Sequence, residues 1–266
     1  LYDLTVSNTS GLNPAVKLVQ TAVVDDIYKQ TSGIVDLNGK QLSLTGSPSG
    51  NAKSHFTSGS IITSVAGGSV TVTDATTNKS MYFEGTNFGD ATFGVPISCT
   101  ASDLFFNGGT FYGTTNFLKT GSGGNVSDGG CTFYGPCTFS TTVGGSRMTF
   151  GGSNPDIFYN ATFAHYCTDG SNFIISRGTL GTQCYGRTVI YSESSGGFYA
   201  GRSNQGSNGS VTFHGPVIIT VAKTGNVYFA ESNSGTQNTS SFEDSVQVNS
   251  TAASTGDVSF GTTAGY

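Results

Sequence analysis

Apolar and polar residues alternate along most of the chain, in short runs separated by Gly, Asn and Ser. The segments SGIVDLNGKQLSLTG and GSVTVT, for example, place apolar side chains two positions apart. A period of two puts these side chains on one face of an extended strand, and Gly and Asn tolerate the positive φ of tight turns. The pattern therefore predicts many short strands. Only residues 16–30 could also form a short helix, and their β-branched residues favour a strand about equally.

A repeat of 22 to 29 residues organises these strands. The tetrapeptide TFYG occurs at 110–113 and again at 132–135, and related segments have their turn residue, here called the anchor, at Gly89, Gly113, Gly135, Asn160, Gly186, Gly215 and Asp244. Positions two before and four after the anchor share one parity and are predicted to face a core. They are Asn87, Phe111, Phe133, Phe158, Cys184, Phe213 and Phe242 before it, and Phe93, Phe117, Phe139, Ala164, Ile190, Ile219 and Val248 after it. In the Asn160 copy the aromatic residue comes one position early, at Phe163, which predicts a copy shorter by one residue.

A unit of this size cannot bury its own apolar face, whereas stacked units can. The repeat therefore predicts an all-β chain folded as a parallel β-solenoid, or β-helix, with irregular coils of 22 to 29 residues. Residues 1–85 lack the anchor but alternate in the same way, and Asn38-Gly39 is predicted to form a tight turn between two strands. We predict variant coils in 1–85 and anchored coils in 86–266, within one continuous rod.

Composition supports this fold and excludes several classes of function. Gly accounts for 39 of 266 residues and charged residues for 10%, so strong helix formers are scarce. Aromatic residues make up 12% of the chain, which argues against disorder. The net charge is −5 and the 11 Lys and Arg are scattered, so we expect no nucleic-acid partner. No run of about 18 apolar residues occurs, so we expect no membrane insertion.

Several phrases of the sequence resemble the repetitive cell-surface proteins of Bacteroidetes. They are LYDLTVSNTSG followed by SGIVDLNGKQLSLTG, and the later FYGTTNFLKTGSGGN, GGSNPDIFYNATF and TVAKTGNVYFAESN. Proteins of this group are exported by the type IX secretion system and include adhesins of gliding motility. The resemblance covers most of the chain and implies an extracellular, cell-surface location and a β-solenoid that serves attachment. It involves no catalytic motif, so it implies no catalytic residue.

Side chains that could perform catalysis or bind a metal are scattered along the sequence. Polysaccharide lyases and hydrolases with a β-helix need converging carboxylates. Here the acidic residues are mostly isolated and suited to turns, although Glu243 and Asp244 could converge with Glu193 or Glu231 across coils. Further acidic residues include Asp25, Asp26, Asp90, Asp103, Asp128, Asp156, Asp169 and Asp257. We predict no catalytic residue and no cofactor.

Histidine and cysteine do not change this prediction. His55, His165 and His214 are far apart in the sequence, which does not favour a metal site, and Cys167 has no partner signature of a nucleophile. We predict no metal site. The five cysteines could form one or two disulfides whose pairing the sequence leaves open: Cys99, Cys131, Cys137, Cys167 and Cys184.

The position immediately before the anchor predicts a binding surface. It is aromatic in most copies and has the opposite parity to the core positions, since it holds Phe88, Tyr112, Tyr134, Tyr159, Tyr185, His214 and finally Glu243. In coils that stack in register, these side chains form an outward column of rings. Such a column could simply stabilise the sheet, or it could bind sugar rings or a neighbouring rod.

These observations favour an extracellular structural or adhesive β-solenoid, a segment of a cell-surface fibre or gliding adhesin. The expected partners are further copies of the chain, other segments of a larger surface protein, and surface glycans. One alternative is a carbohydrate-active β-helix enzyme, a polysaccharide lyase or hydrolase. Another is a glycan-binding or ice-binding module.

Overall fold

A computed structural model gives the fold and describes residues 1–10, 13–45, 53–73, 79–142, 147–167, 170–178, 180–202, 209–230 and 238–261. The chain is all-β, and no helix occurs among the described residues. Accordingly, none of them forms a helix that could span a bilayer. Two compact units are present: unit 1 comprises Leu1–Gly121 and Cys131–Cys137, and unit 2 comprises Ser122–Gly130 and Thr138–Tyr266.

The described part of unit 1 contains sixteen short strands. They are β1 (Leu4–Val6), β2 (Val16–Lys17), β3 (Ala22–Val24), β4 (Tyr28–Gln30), β5 (Ile34–Asp36), β6 (Gln41–Thr45), β7 (Lys53–Phe56), β8 (Ser60–Ile62), β9 (Ser69–Thr73), β10 (Ser80–Phe83), β11 (Asn87–Phe88), β12 (Ile97–Ala101), β13 (Asp103–Phe106), β14 (Gly109–Phe111), β15 (Thr115–Lys119) and β16 (Cys131–Phe133).

These strands form three parallel sheets, because each strand pairs with its equivalent in the next coil. Their orders are β1-β4-β7-β10-β13, β2-β5-β8-β11-β14-β16 and β3-β6-β9-β12-β15. Within the second sheet Phe88 is opposite Phe111, and Phe111 is opposite Phe133. The predicted parallel β-solenoid is confirmed.

Unit 2 repeats this arrangement in the residues that the structure describes. Its strands are β17 (Cys137–Thr141, whose first residue belongs to unit 1), β18 (Met148–Thr149), β19 (Ile157–Phe158), β20 (Ala161–His165), β21 (Phe173–Ile175), β22 (Thr182–Cys184), β23 (Thr188–Ser192), β24 (Phe198–Ala200), β25 (Ser210–Phe213), β26 (Val217–Val221), β27 (Val227–Phe229), β28 (Thr239–Phe242), β29 (Val246–Ser250) and β30 (Val258–Phe260). Its sheets run β17-β20-β23-β26-β29, β18-β21-β24-β27-β30 and β19-β22-β25-β28.

The core consists of aromatic columns that run from coil to coil. In unit 1, Phe88, Phe111 and Phe133 stack with ring centroids 5.0 and 4.5 Å apart. Phe117 meets the Phe111 ring edge-on at 5.9 Å, so one column packs against another. The strands alternate inward and outward as the sequence predicts, for example in β26, where every second residue is buried. Burial of these rings in successive coils holds the stack together.

Turn residues bring the coils close together. Asn38 and Gly39 have φ of 50° and 73°, which confirms the turn between β5 and β6, although the two strands belong to different sheets. A Cβ atom on Gly135 would lie 2.6 Å from the carbonyl carbon of Gly113, and one on Gly94 would lie 2.6 Å from the Cα of Gly113. Only glycine permits so close an approach of neighbouring turns.

The first anchored copy differs from the sequence prediction. Val95, not Gly89, occupies the position equivalent to Gly113, since Ile97 is opposite Thr115. Phe88 is opposite Phe111, so an insertion lies between β11 and β12, and a bridge between Gly89 and Gly94 closes the loop of residues 90–93. Asp90 holds this loop by accepting hydrogen bonds from the backbone of Thr92 and Phe93. The predicted core positions Asn87 and Phe93 are consequently exposed, and the prediction for these two residues is wrong.

The copy around Asn160 agrees with its prediction. Phe158 is opposite Cys184, 26 positions later, whereas Ala161 is opposite Thr188, 27 positions later. One residue is therefore missing between the two strands of this copy. Phe163 is buried as predicted and is opposite Ile190.

Candidate binding surface

The Tyr residues of the two TFYG segments form a ring pair on the exterior of unit 1. Tyr112 and Tyr134 follow core residues Phe111 and Phe133, so the alternation of the strand turns them outward. Their rings stack with centroids 4.9 Å apart and planes 15° apart. Tyr134 remains 45% exposed. The sequence prediction of stacked, outward rings is confirmed for this pair.

A longer column of rings lies on the exterior of unit 2. Tyr159 stacks on Tyr185 at 5.3 Å, and Tyr185 stacks on His214 at 4.5 Å. These three residues directly follow β19, β22 and β25, which are adjacent strands of one sheet. Tyr159 and Tyr185 keep 36% and 45% of their surface exposed. We call Tyr159, Tyr185 and His214 the unit 2 ring column.

Polar groups fix the His214 end of this column. His214 Nδ1 lies 2.7 Å from Glu243 Oε2, and His214 Nε2 lies 2.8 Å from Gln183 Oε1. The imidazole is thereby held parallel to the Tyr185 ring, with an interplanar angle of 7°. Flat rings and hydrogen-bonding groups lie side by side, as in sites that recognise sugars.

Phe88 is not part of an exterior column. It is fully buried and stacks on core residue Phe111, because Phe88 and not Asn87 is opposite Phe111 in the sheet. The predicted outward position of Phe88 is therefore wrong.

A second column on unit 1 was not predicted from the sequence. His55, Tyr82 and Phe105 stack with centroid distances of 4.5 and 4.4 Å on the neighbouring strands β7, β10 and β13. Glu84 Oε2 lies 2.9 Å from His55 Nδ1. Burial raises the pKa of Tyr82, and the charges of Asp103 and Glu84 raise it further, so the phenol keeps its proton. The signal in the sequence is a ring directly before a core phenylalanine, in SHF, MYF and LFF.

Unit 2 contains a further ring pair beside an arginine. Tyr199 and Tyr228 stack at 4.9 Å on β24 and β27. The guanidinium carbon of Arg202 lies 4.0 Å from the centre of the Tyr199 ring. Cation–π contact of this kind orders an arginine side chain over an aromatic face.

Of the acidic residues that the sequence analysis grouped together, Glu243 and Glu193 have separate partners in the structure. Glu243 contacts His214, whereas Glu193 pairs with Lys223 at 3.0 Å and accepts a hydrogen bond from Tyr191. Glu231 and Asp169 lie outside the described residues. Asp156 is buried and accepts a hydrogen bond from the Gly151 backbone. Among the described residues, no group of three His, Cys, Asp or Glu side chains is placed to hold a metal ion.

The cysteines are all buried thiols, so the predicted disulfides are not formed among these described residues. Each occupies an inward position of a strand or turn, where it replaces a hydrophobic side chain. Cys184, for example, lies opposite Phe158 and Phe213 in adjacent coils.

No protein family, no curated protein and no solved structure matches this chain.

Proposed function

We propose that this chain is an extracellular structural or adhesive β-solenoid, a segment of a cell-surface fibre that attaches to glycans through its exterior rings. The observation that supports the proposal is the unit 2 ring column. Three rings of consecutive coils are stacked, partly exposed and bordered by Glu243 and Gln183. Exposed rings combined with acceptors suit the apolar face and the hydroxyl groups of a sugar.

The strands beneath the rings make this surface rigid. Residues 182–184 and 211–213 pair in a parallel ladder, and stacking fixes the ring planes. A surface ordered in advance loses little conformational entropy when it binds. Repetition of ring groups on one chain also provides several weak contacts, which together give strong attachment to a polymer.

The proposal is tested by Tyr159→Ser with Tyr185→Ser in one variant. We expect weaker binding to immobilised polysaccharides and cell-surface glycans, with a small change in melting temperature, because both rings lie outside the core. Tyr2→Ser is the matched control, since Tyr2 is 65% exposed and belongs to none of the ring groups described above.

Two outcomes of this test and one further measurement separate the alternatives. Loss of thermal stability with unchanged binding would mean that the column only stabilises its sheet. Release of oligosaccharides from the polysaccharide would instead support the lyase or hydrolase alternative. Electron micrographs of the full chain distinguish fibres from isolated particles.

A further inference from the structure

Tyrosine rings are paired between adjacent coils in both units. Four such pairs have ring centroids 4.9 to 5.3 Å apart: Tyr112 with Tyr134 in unit 1, and Tyr159 with Tyr185, Tyr166 with Tyr191 and Tyr199 with Tyr228 in unit 2. These pairs contain eight of the twelve tyrosines of the chain. Phenols are therefore held side by side at several places along the solenoid.

The parallel register of the sheets fixes which rings become neighbours. Phe111 is opposite Phe133, so the residues that follow them lie side by side in adjacent coils. The Tyr134 amide donates a hydrogen bond of 2.8 Å to the Phe111 carbonyl, and the Tyr185 amide donates one of 2.8 Å to the Phe158 carbonyl. The backbone thus holds each of these rings beside its partner in every folded molecule.

Two adjacent phenols can be joined by oxidation. Hydrogen peroxide, with a haem peroxidase as catalyst, takes one electron and one proton from each phenol and is itself reduced to two molecules of water. The two tyrosyl radicals then form a carbon–carbon bond between ring positions ortho to their oxygens. The hydrogen on each joined carbon is transferred to the phenolic oxygen of the same ring. The product, dityrosine, therefore has two hydrogen atoms fewer than two separate tyrosines.

Exposure distinguishes the pairs that can react in this way. Stacked rings must turn until their edges meet, and an exposed tyrosine can change rotamer readily, whereas a tightly packed one cannot. Tyr134 and Tyr185 are each 45% exposed, and Tyr159 is 36% exposed. Tyr199 is only 8% exposed, and the guanidinium carbon of Arg202 lies 4.0 Å from the centre of its ring. Access and motion are therefore available to the pairs that contain Tyr134 and Tyr159, but not to Tyr199.

Two tyrosines of unit 1 provide an internal comparison. Tyr82 is stacked between the rings of His55 and Phe105. Tyr28 is fully buried beside Phe56. Neither ring is stacked on a second phenol in the part of the chain that the structure describes, so we expect no coupling at these two positions.

We propose that the Tyr112–Tyr134 and Tyr159–Tyr185 pairs are sites of dityrosine formation, at which peroxide and a peroxidase join adjacent coils covalently. This modification goes beyond glycan attachment and does not depend on it. The joined residues are 22 and 26 positions apart in the chain. A covalent link across such a loop restricts the unfolded chain, as a disulfide does. The oxidised protein should therefore melt at a higher temperature than the untreated protein.

The test is brief treatment of the dilute full chain with a haem peroxidase and hydrogen peroxide, followed by trypsin digestion and mass spectrometry. Trypsin places the partners in different peptides: 80–119 and 120–147 for the first pair, and 148–177 and 178–187 for the second. We expect both pairs of peptides to be joined, with the loss of two hydrogen atoms, in molecules that still migrate as single chains. Peptides 188–202 and 224–266, which contain Tyr199 and Tyr228, should remain separate.

Phenylalanine variants assign each link, because they keep the ring and remove only the phenol. Tyr134→Phe should abolish the link between 80–119 and 120–147 while leaving the link between 148–177 and 178–187. Tyr185→Phe should have the opposite effect. Tyr2→Phe is the matched control, since it removes a phenol that is 65% exposed and outside the pairs, and both links should persist. Each of the first two variants should also lose part of the rise in melting temperature.

Three results would overturn the proposal. Absence of both links in the treated protein would show that the stacked phenols do not couple. Links found only in species of twice the chain mass would show that coupling joins separate molecules instead of adjacent coils. Links at Tyr2 or Tyr28 as abundant as those of the two pairs would show that stacking does not direct the reaction.

Discussion

Lys119 is a fully buried cation at an inward position of β15, opposite Ala101 of the preceding coil. Its ammonium group donates hydrogen bonds to the carbonyl oxygens of Ser102 and Gly121, at 3.2 and 2.6 Å, and lies 3.5 Å from Asp103. The side chain therefore ties β15 and the following turn to the coil before it. Removal of one partner from such a group leaves the others unsatisfied.

We expect Lys119→Met to lower the free energy of unfolding by about 3 kcal/mol, since the remaining carbonyls and carboxylate lose their donor. Urea titration measures the change. Lys29→Met, at an exposed position of β4, is the control and should have little effect. Equal stability of both variants would show that the buried contacts of Lys119 contribute nothing.

Asp36 gives the chain a predictable response to acid. Burial by itself raises its pKa, but hydrogen bonds from Ser64 and Asn38 and the charge of Lys17 outweigh burial, so the pKa is lowered. The ionised Asp36 carboxylate therefore stabilises the folded chain. This stabilisation is complete above the ordinary pKa of an aspartate, about 3.9, and is lost as the pH falls through the lowered pKa of the folded state.

Asp36→Asn should therefore be less stable than the unmodified chain at neutral pH, by about 2 kcal/mol, and the difference should shrink below about pH 4. Denaturation midpoints measured across that range check this. A difference that stays constant with pH would mean that the carboxylate charge is not responsible.

Inward and outward residues were predictable wherever strand and turn follow the repeat, as for Phe111 and Tyr112. They were not predictable for Phe88 and Phe93. NFG and TFG both match the anchor, and the inserted loop between them is stabilised by the Asp90 side chain, a local contact that periodicity does not reveal.

The turns are the most tightly constrained elements of the solenoid. Gly113 faces the backbone of Val95 and Pro96, and a Cβ atom there would lie 2.8 Å from the Pro96 nitrogen. Backbone atoms cannot move aside as a flexible side chain can. The close stacking of neighbouring coils therefore requires glycine at position 113, in the turn between β14 and β15.

Gly113→Ala should lower the free energy of unfolding by about 2 kcal/mol because the added methyl group overpacks the corner. Gly124→Ala is a matched control, since its nearest neighbours are Arg147 side-chain atoms at 3.7 Å or more. Thermal melting of the two variants gives the comparison. A milder effect at Gly113 than at Gly124 would contradict the close approach of the coils.

The existence of strands was predictable from alternation, but their assignment to sheets was not. Residues 16–30 were open to helix or strand, and they form β2, β3 and β4 in three different sheets. The column of His55, Tyr82 and Phe105 was missed for a related reason. Two of its three strands, β7 and β10, lie within residues 1–85. That part of the chain lacks the anchor by which the later copies were aligned, so the equivalence of these positions could not be recognised.

Stability is unevenly distributed along unit 2. Core residues Phe213, Ile219 and Phe229 are fully buried, or nearly so, whereas their counterparts one coil later are not. Val248 is 49% exposed and Phe260 is 54% exposed. Among the residues that the structure describes, the coil made of β28, β29 and β30 is therefore covered only by the coil of β25, β26 and β27.

Amide hydrogen exchange should accordingly be faster in β28–β30 than in β25–β27, since less apolar surface must be exposed to open the last coil. Mass spectrometry of peptides from 210–230 and 239–260 measures the difference. Equal protection of the two segments would show that another surface covers the last coil.

Each unit contains buried thiols whose reaction with an alkylating reagent would show when that unit opens. Burial, with a smaller contribution from Asp156, raises the pKa of Cys184 to about 12, so in the folded chain its thiolate is too rare to react. Alkylation of a cysteine then requires that its coil open. Cys99, Cys131 and Cys137 belong to unit 1, and Cys167 and Cys184 belong to unit 2. Timed alkylation of the unaltered protein can thus reveal the order in which its coils come apart.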